Sequence, residues 1–428
     1  LRIISVRLDD YKKKLSELLQ HRVEESMAEI DEVVENVILN IQKDGDKALI
    51  EYTQKFDGVL LDKIQVEEGE INAAWEAVSD EFKEILDKAR KNIWSYHEKQ
   101  RQNSWMDFDG EIILGQKVTP IESVGMYVPG GKAAYPSTVL MNGIPAKIAG
   151  VERLVMVTPP GKDGKVNPYI LAAAKLTGVD EIYKVGGAQS IAALAFGTET
   201  ILPVNKIVGP GNIYVARAKK KVFGVVDIDM IAGPSEICIL ADESARPAYI
   251  AADLLSQAEH DEMASSILIT QSYSLAEKVK LALEDQIASL DRVQIIRKAI
   301  EKNSAVYVPE DVETAVAMIN DIAPEHLEVM TVNPFEILPK IKNAGAIFLG
   351  HFSPEPLGDY FAGPNHTLPT NGTAKFSSPL GVEDFVKKSS VIYYSKTALS
   401  QVKDEIESFA LHEGLTAHAN SIKVRFLP

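Results

Sequence analysis

The side chains with chemistry in them gather in the second half of the sequence. The stretch LLSQAEHD closes a helical pattern with Gln257 and His260 three residues apart. That spacing puts both on one helix face, where two side chains can share a metal ion; a lone histidine in that place is otherwise a structural residue. Six of the eight histidines fall between residues 260 and 418, several near carboxylates in polar loops: Glu325 next to His326, Asp359 followed by His366, and Glu413 followed by His418. Histidine with aspartate or glutamine and no thiolate suits zinc or a similar divalent ion in five-fold or octahedral geometry. Glu325 and His326, in IAPEHLEVMT, form a titratable pair just before a strand. Such a pair divides acid and base work once burial and mutual charge move its pKa values toward neutrality, or it is a surface pair that ends a helix. The single cysteine, Cys238, sits in the apolar run Ile237–Leu240 with no histidine or lysine beside it in sequence, the setting of a buried, inert thiol.

A second kind of signal is made of glycine. No GxGxxG is present, so the standard dinucleotide fingerprint is absent. In its place stand GGAQS at 186–190 and GPGN at 209–212, each between an expected strand and an expected helix. Glycine there lets backbone N–H groups approach a phosphate at the helix N-terminus. Either motif alone is also a tight strand-to-helix turn; two at the same edge of one sheet favour a nucleotide or another anion. Arg217 and Lys219–Lys221 form a dense basic cluster at the far end of the helix that GPGN opens, where cations offset the helix dipole.

The elements that must position these residues are legible as patterns. Residues 22–105 read as helices, with Val33, Val34, Val37, Ile38 and Ile41 at helical spacing and Trp75, Trp94 and Trp105 as aromatic anchors on a neighbouring layer. From about residue 117 short β-rich runs alternate with Ala-rich helical stretches, which means βαβ units and mostly parallel sheets covered by helices. Two such blocks meet near Gly233 and Pro234. Two Gly/Pro-rich regions, 119–138 with YVPGGKAAYPST and 353–372 with SPEPLGDYFAGPNHTLPTNG, are of a length that in compact α/β proteins goes with function or mobility. A last helix, Ala398–Phe409, and the tail EGLTAHANS follow.

Composition narrows the classes. Of 428 residues 46% are hydrophobic and 25% charged, the balance of a globular protein of several domains. A net charge of −16 argues against nucleic acid as a partner. One cysteine excludes intrachain disulfides and four-cysteine zinc modules and fits a reducing cytoplasm. No window approaches 18 uninterrupted apolar residues, and the charged first 20 residues do not read as a secretory signal, so no membrane role is expected.

The motifs together resemble the bacterial histidinol dehydrogenase family. The stretch IDMIAGPSEICILADESARPAYIAADLLSQAEHD, from Ile228 to Asp261, is similar to the family's signature. YVPGG at 127–131, GGAQSIAALAFGT at 186–198, VGPGN at 208–212, APEHLE at 323–328, GPNHTLPT at 363–370 and EGLTAHANS at 413–421 follow in the family's order along essentially the whole chain. The resemblance implies a zinc ion on Gln257, His260, Asp359 and His418, with Glu325 and His326 as the acid–base pair. Ser235, His366 and Glu413 would join Gln257, His260, His326, Asp359 and His418 around the substrate, and Tyr127, Gln189 and Asn212 would contact NAD. It implies a homodimer in which the tail carrying Glu413 and His418 completes the partner's site. The implied reaction is the oxidation of L-histidinol through bound L-histidinal to L-histidine.

The expected fold class is α/β, with two incomplete Rossmann-like parallel-sheet domains, a helical N-terminal segment and a small C-terminal extension. The expected division is a helical segment over 1–22, a discontinuous α/β domain over 23–126 plus 236–380 with the metal and catalytic residues, an NAD-contacting α/β domain over 127–235, and a dimer-crossing segment over 381–428. A zinc hydrolase with Glu325 as base is the rival reading, though it gives no reason for GGAQS and GPGN. A non-catalytic regulator that binds both metal and nucleotide is a third.

Overall fold

The structure, a computed structural model, describes residues 1–19, 27–130 and 134–427. Gly131, the last residue of YVPGG, and the point near residue 22 where the N-terminal segment was expected to end lie outside the described residues. Among the latter the strands are β1 (Arg2–Val6), β2 (Trp105–Asp109), β3 (Ile112–Pro120), β4 (Ser123–Tyr127), β5 (Arg153–Val157), β6 (Glu181–Tyr183), β7 (Lys206–Val208), β8 (Asp227–Ile228), β9 (Glu236–Ala241), β10 (Ser265–Ile269), β11 (Ala305–Pro309), β12 (His326–Met330), β13 (Ala346–Leu349) and β14 (Val386–Tyr394). They form a five-stranded sheet in the order β6-β5-β4-β7-β8 and a six-stranded sheet in the order β1-β11-β10-β9-β12-β13. Both are parallel throughout. The α/β class with two incomplete Rossmann-like sheets therefore stands. No helix among the described residues is long and apolar enough to cross a membrane.

Each parallel sheet is covered on both faces, and its strands accordingly read as continuous apolar runs. The alternation of side chains along a strand still sorts them. On β5, Leu154 and Met156 join the core under the helices Glu68–Ala77 and Asp80–His97, while Val155 and Val157 join the core under the helix Ala28–Asp57. On β9, Ile237 and Ile239 face the helix Pro247–Ala258, while Cys238 and Leu240 face Ile319 and Ile322 of the helix Val312–Ile322. Cys238 is fully buried, as its apolar run requires.

The expected division is corrected in three places. The helices between residues 28 and 97 were expected to share a domain with 236–380, but they pack on the five-stranded sheet; their stripes Val34, Val37, Ile41 and Leu86, Ala89, Ile93 supply its two faces. The N-terminal segment is not wholly helical: Arg2–Val6 is an edge strand, paired with β11 of the six-stranded sheet. A third, antiparallel sheet in the order β14-β3-β2 was not expected at all. It turns Trp105 outward, 54% exposed, and Trp94 is 37% exposed, so of the three tryptophans only Trp75 is packed against a core.

One buried polar contact ties the helix Asp80–His97, which packs on the five-stranded sheet, to the loop 363–370. His97, fully buried at the end of Asp80–His97, places Nδ1 2.8 Å from the carbonyl of Ile93, and the amide of Asn365 lies against its other ring nitrogen. Asn365 Nδ2 also donates to the carbonyl of Met141 at 2.7 Å, and its Oδ1 accepts from Thr367 N at 2.9 Å. Burial lowers the pKa of His97 below its ordinary 6.5, so the folded protein holds it neutral. Above pH 6.5 the ring is neutral in both states and contributes no pH dependence. As the pH falls through 6.5 the unfolded chain takes up a proton that the folded chain refuses, and stability is lost. Denaturant midpoints measured between pH 7 and pH 5 should fall more steeply in the wild type than in His97→Gln; equal slopes would remove His97 from the acid sensitivity.

Candidate active site

The chain enters the site through a strained turn. The helix Val312–Ile322 ends on Ala323, whose φ of +48° is a left-handed conformation that a side chain resists. Pro324 forbids continuation, and β12 starts two residues later. The carbonyls of Pro324 and Glu325 then accept from Gly345 N and Ala346 N, both at 2.9 Å, which fixes the backbone that carries Glu325 and His326. Both side chains come to the amino edge of the six-stranded sheet, next to the first residues of β9.

Their hydrogen bonds assign a tautomer. Glu325 Oε2 accepts from Glu236 N at 2.8 Å. His326 Nδ1 lies 3.2 Å from the backbone carbonyl oxygen of Glu236 and 3.6 Å from Glu325 Oε2. A carbonyl only accepts and a carboxylate normally does, so Nδ1 carries the hydrogen and a neutral ring keeps its lone pair on Nε2. Nε2 is buried without a hydrogen-bond partner, 3.7 Å from Asp359 Oδ1.

Two helices bring the remaining groups. The helix Pro247–Ala258 returns to the amino edge and delivers Gln257, 1% exposed, with His260 just beyond its end. The short helix Glu355–Tyr360 presents Glu355 and Asp359 one turn apart. His326, Glu355 and Asp359 bring ligand-capable atoms within 4.8 Å of one another, the one such set of three among the described residues. His366 Nδ1 lies 3.0 Å from the Asp359 carbonyl, which turns its Nε2 the other way. Ser235, half-buried, directly precedes Glu236 at this edge. Within one chain His260, Asp359 and His418 do not converge. Glu413 and His418 are exposed, at the ends of the helices Lys396–His412 and Thr416–Lys423.

The charge balance is lopsided. Burial pushes Glu325 up to about 8, against the pull of His326 and of the Glu236 N–H. Burial also pushes Glu355 up to about 7 and Asp253 up to about 6, and it raises Glu328, which faces Asp253. For His326 burial opposes the charge, but Glu325, Glu355 and Asp359 outweigh it and carry the ring up to about 10. Asp359 is penalised by burial too, yet His326, His366 and His260 hold it below its ordinary value, so it is ionised. Desolvation lowers His366 and, at the more open rim of the site, the exposed His260; the neutral imidazole is the form that ligates metals. Carboxylates outnumber the cations here, and the donors on offer are an amide oxygen, an imidazole and a carboxylate. That combination fits a divalent ion of the zinc class.

The glycine motifs lie at the carboxyl edge of the five-stranded sheet, where the strand order reverses between β4 and β7, the usual ligand position of such sheets. Tyr127 ends β4, and its O–H accepts weakly from Gly187 N at 3.4 Å. Burial pushes that phenol up to about 12, so it stays protonated. Gly209, φ +109°, runs so close to Tyr127 that a Cβ would sit 2.2 Å from its carbonyl oxygen. Gln189 is 1% exposed, and both Oε1 and Nε2 are buried without a partner. Neutral polar atoms so placed call for a ligand with both donors and acceptors. Asn212 is exposed and caps the helix Ile213–Val222, its Oδ1 accepting from Tyr214 N at 3.0 Å and Val215 N at 3.2 Å; Nδ2 alone is left to offer. The basic cluster beyond it is more than a dipole complement. Lys219, buried, bonds to the Gly209 carbonyl at 2.9 Å and pairs with Asp229, whose other oxygen accepts from Gly209 N at 2.7 Å.

Sequence reasoning missed Glu355, Asp253, Glu328 and the Asp229 clamp. Glu355 was within reach, because it stands four residues before Asp359 and shares its face. The others became visible only when distant segments met.

Comparison with known proteins bears on the whole chain. The histidinol dehydrogenase family model matches residues 20–426. A histidinol dehydrogenase of Caldanaerobacter subterraneus subsp. tengcongensis is 60% identical over 95% of this chain and 95% of its own length. One of Clostridium acetobutylicum is 58% identical over 97% of this chain and 96% of its own. The crystal structure of histidinol dehydrogenase from Elizabethkingia anophelis superposes with a TM-score of 0.93 at 40% identity, covering 99% of this chain and 97% of that one.

The orphaned amide of Gln189 generates a measurable trade-off. Each buried unpaired polar group costs roughly 1–3 kcal/mol. Gln189→Met should raise the melting temperature of the ligand-free protein and weaken nucleotide binding at least tenfold by calorimetry, about the 1.4 kcal/mol of one lost hydrogen bond. A variant that binds nucleotide normally would show that the amide serves something else.

Proposed function

The chain belongs to the histidinol dehydrogenase family, and on that premise we propose that it oxidises L-histidinol through bound L-histidinal to L-histidine in two NAD-dependent steps, at a zinc site completed by a second copy of itself. The observation that carries this reading is His326, whose Nδ1 lies 3.2 Å from the Glu236 carbonyl and whose Nε2 is buried without a partner, among surplus carboxylates beside Gln257, His260 and Asp359. In this reading Gln257, His260 and Asp359 hold the zinc ion with His418 of the partner subunit. Ser235 and His366 line the substrate, and Glu413 of the partner subunit meets its amino-acid end. The exposure of the C-terminal helices supports the exchange, as do Trp105, Phe108, Ile392 and Phe409, which are all more than half exposed on the antiparallel sheet and the helix beside it. Tyr127, Gln189 and Asn212 face the cofactor. A biosynthetic oxidation fed by the cellular NAD pool fits the cytoplasm.

Bound zinc would orient the substrate through its imidazole and amine, and bound NAD would accept the hydrides. The chain's own residues then move protons. His326 Nε2 takes the alcohol proton as the first hydride leaves, giving the aldehyde. Glu325 takes a proton from the water that adds to the aldehyde while His326 returns its proton to the aldehyde oxygen, giving the hydrate and restoring His326 as a base. His326 takes a proton from the hydrate as the second hydride leaves, giving the carboxylic acid. Holding the aldehyde protects it from free amines.

Purified protein with L-histidinol should yield two NADH per histidinol, lost on chelation and regained with zinc. His326→Asn should depress both oxidations by roughly 10²–10⁴-fold, and Glu325→Gln chiefly the oxidation of added histidinal. No NADH with zinc present would sink the assignment; normal histidinal oxidation by Glu325→Gln would sink the role given to that carboxylate.

A further inference from the structure

We propose that Glu355 is the positioning residue of the metal site, holding the side-chain amide of Gln257 so that only its carbonyl oxygen is turned to a cation. The proposal rests on Gln257 being a metal ligand, as read above. A glutamine amide is nearly symmetric in shape, and rotating it by half a turn exchanges a metal-binding oxygen for an NH2 group that a cation repels. Its neighbours therefore decide whether the residue can ligate. With its nitrogen toward Glu355, Gln257 donates to Oε1 at 3.1 Å and to Oε2 at 3.2 Å; the reverse orientation would set a carbonyl against a carboxylate. The third group within reach of that nitrogen, His326 Nδ1 at 3.3 Å, already has its hydrogen directed at the Glu236 carbonyl. The amide nitrogen is thus held by a forked hydrogen bond to Glu355, and the carbonyl oxygen points away from it.

Glu355 is itself held from two sides. The Ser256 hydroxyl, shared with the Asp253 carbonyl at 2.9 Å, reaches Oε2 at 3.0 Å, and the Glu355 backbone N–H donates to Glu328 Oε1 at 2.8 Å. The side chain is 2% exposed, so no water competes for these bonds from bulk. Ser256 and Gln257 are neighbours on one helix, and Glu355 and Asp359 lie one turn apart on another. The carboxylate therefore joins the element that carries one metal ligand to the element that carries the next. Supports of this kind typically set metal affinity by 10–100-fold.

The test is a double-mutant cycle read by metal affinity, independent of turnover. The dissociation constant for cobalt(II) is measured on the full-length protein by its visible absorption and for zinc by competition with a chelator. The forms compared are wild type, Glu355→Gln, Gln257→Ala and the double variant, with the melting temperature of each metal-free form as a folding control. Glu355→Gln should weaken binding by about 10–100-fold and alter the cobalt spectrum. In the Gln257→Ala background the same change should cost about twofold or less, because the amide it orients is gone. Ser256→Ala, which removes one support of Glu355 and leaves its charge, should weaken binding a few-fold and decides the matter if Glu355→Gln does not fold. An equal loss in both backgrounds would mean that Glu355 ligates the ion or acts by charge, and overturns the proposal. Unchanged affinity in Glu355→Gln overturns it too. A wild type that binds neither metal sinks the zinc reading and the proposal together, a result distinct from the other two.

Discussion

Gathering the carboxyl groups of Glu325, Glu355 and Asp359 around one buried imidazole, with Asp253 and Glu328 beside Glu355, is the constraint to which the amino edge of the six-stranded sheet answers. Like charges in a low-dielectric setting must be neutralised by protons, by hydrogen-bond donors or by a cation, and all three solutions coexist. Asp253 and Glu328, adjacent and both raised by burial, cannot both ionise, so they share a proton. Glu325, Glu328 and Glu355 take backbone or hydroxyl donors from Glu236, Glu355 and Ser256. Asp359 is left ionised among three imidazoles, two of them with pKa values lowered by desolvation. A group that stays charged among neutral donors is what a divalent ion needs.

The two functional edges belong to different sheets, and a short connection holds them in register. Asp229 clamps Gly209 and Lys219 at the carboxyl edge of the five-stranded sheet. Four residues later Gly233 N donates to Thr370 Oγ1 at 2.7 Å, on the loop that carries His366. Ser235 and Glu236 follow at the amino edge of the six-stranded sheet. The same loop is tied to the helices on the five-stranded sheet by Asn365, through His97 and the Met141 carbonyl. The carboxyl edge of one sheet and the amino edge of the other are thus referred to a common framework of buried polar contacts.

The sequence made local things legible. Alternating β-rich and Ala-rich runs fixed the parallel α/β class, and the histidines beside carboxylates led to the amino-edge site. What it hid depends on contacts between distant segments. An apolar stripe on a helix says that the helix packs, not on which sheet, so Val34, Val37 and Ile41 could not announce that they cover β5 in place of β9. The strand Arg2–Val6 is too short and too charged at its start to declare itself without β11 beside it. Asn212 looks like a ligand in a glycine loop, yet its oxygen is spent on a helix cap. Asp253 and Glu328 read as ordinary surface charges until a helix and a strand press them together.

The tautomer of His326 and the charge around it pull in opposite directions, and that tension bears on the metal. The Glu236 carbonyl leaves Nε2 free to take a proton, which is what a base requires. The carboxylates beside it carry the ring up to about 10, which would leave that position filled at neutral pH. A general base works best with a pKa near the operating pH. On the proposed function, positive charge held by Gln257, His260 and Asp359 would act against the carboxylates that hold the proton and would bring His326 back toward the useful range. On that reading the acidic surplus that makes the pocket receptive to a cation is the same surplus that would make the base depend on one. Orientation of the substrate and readiness of His326 would both follow from filling a single site.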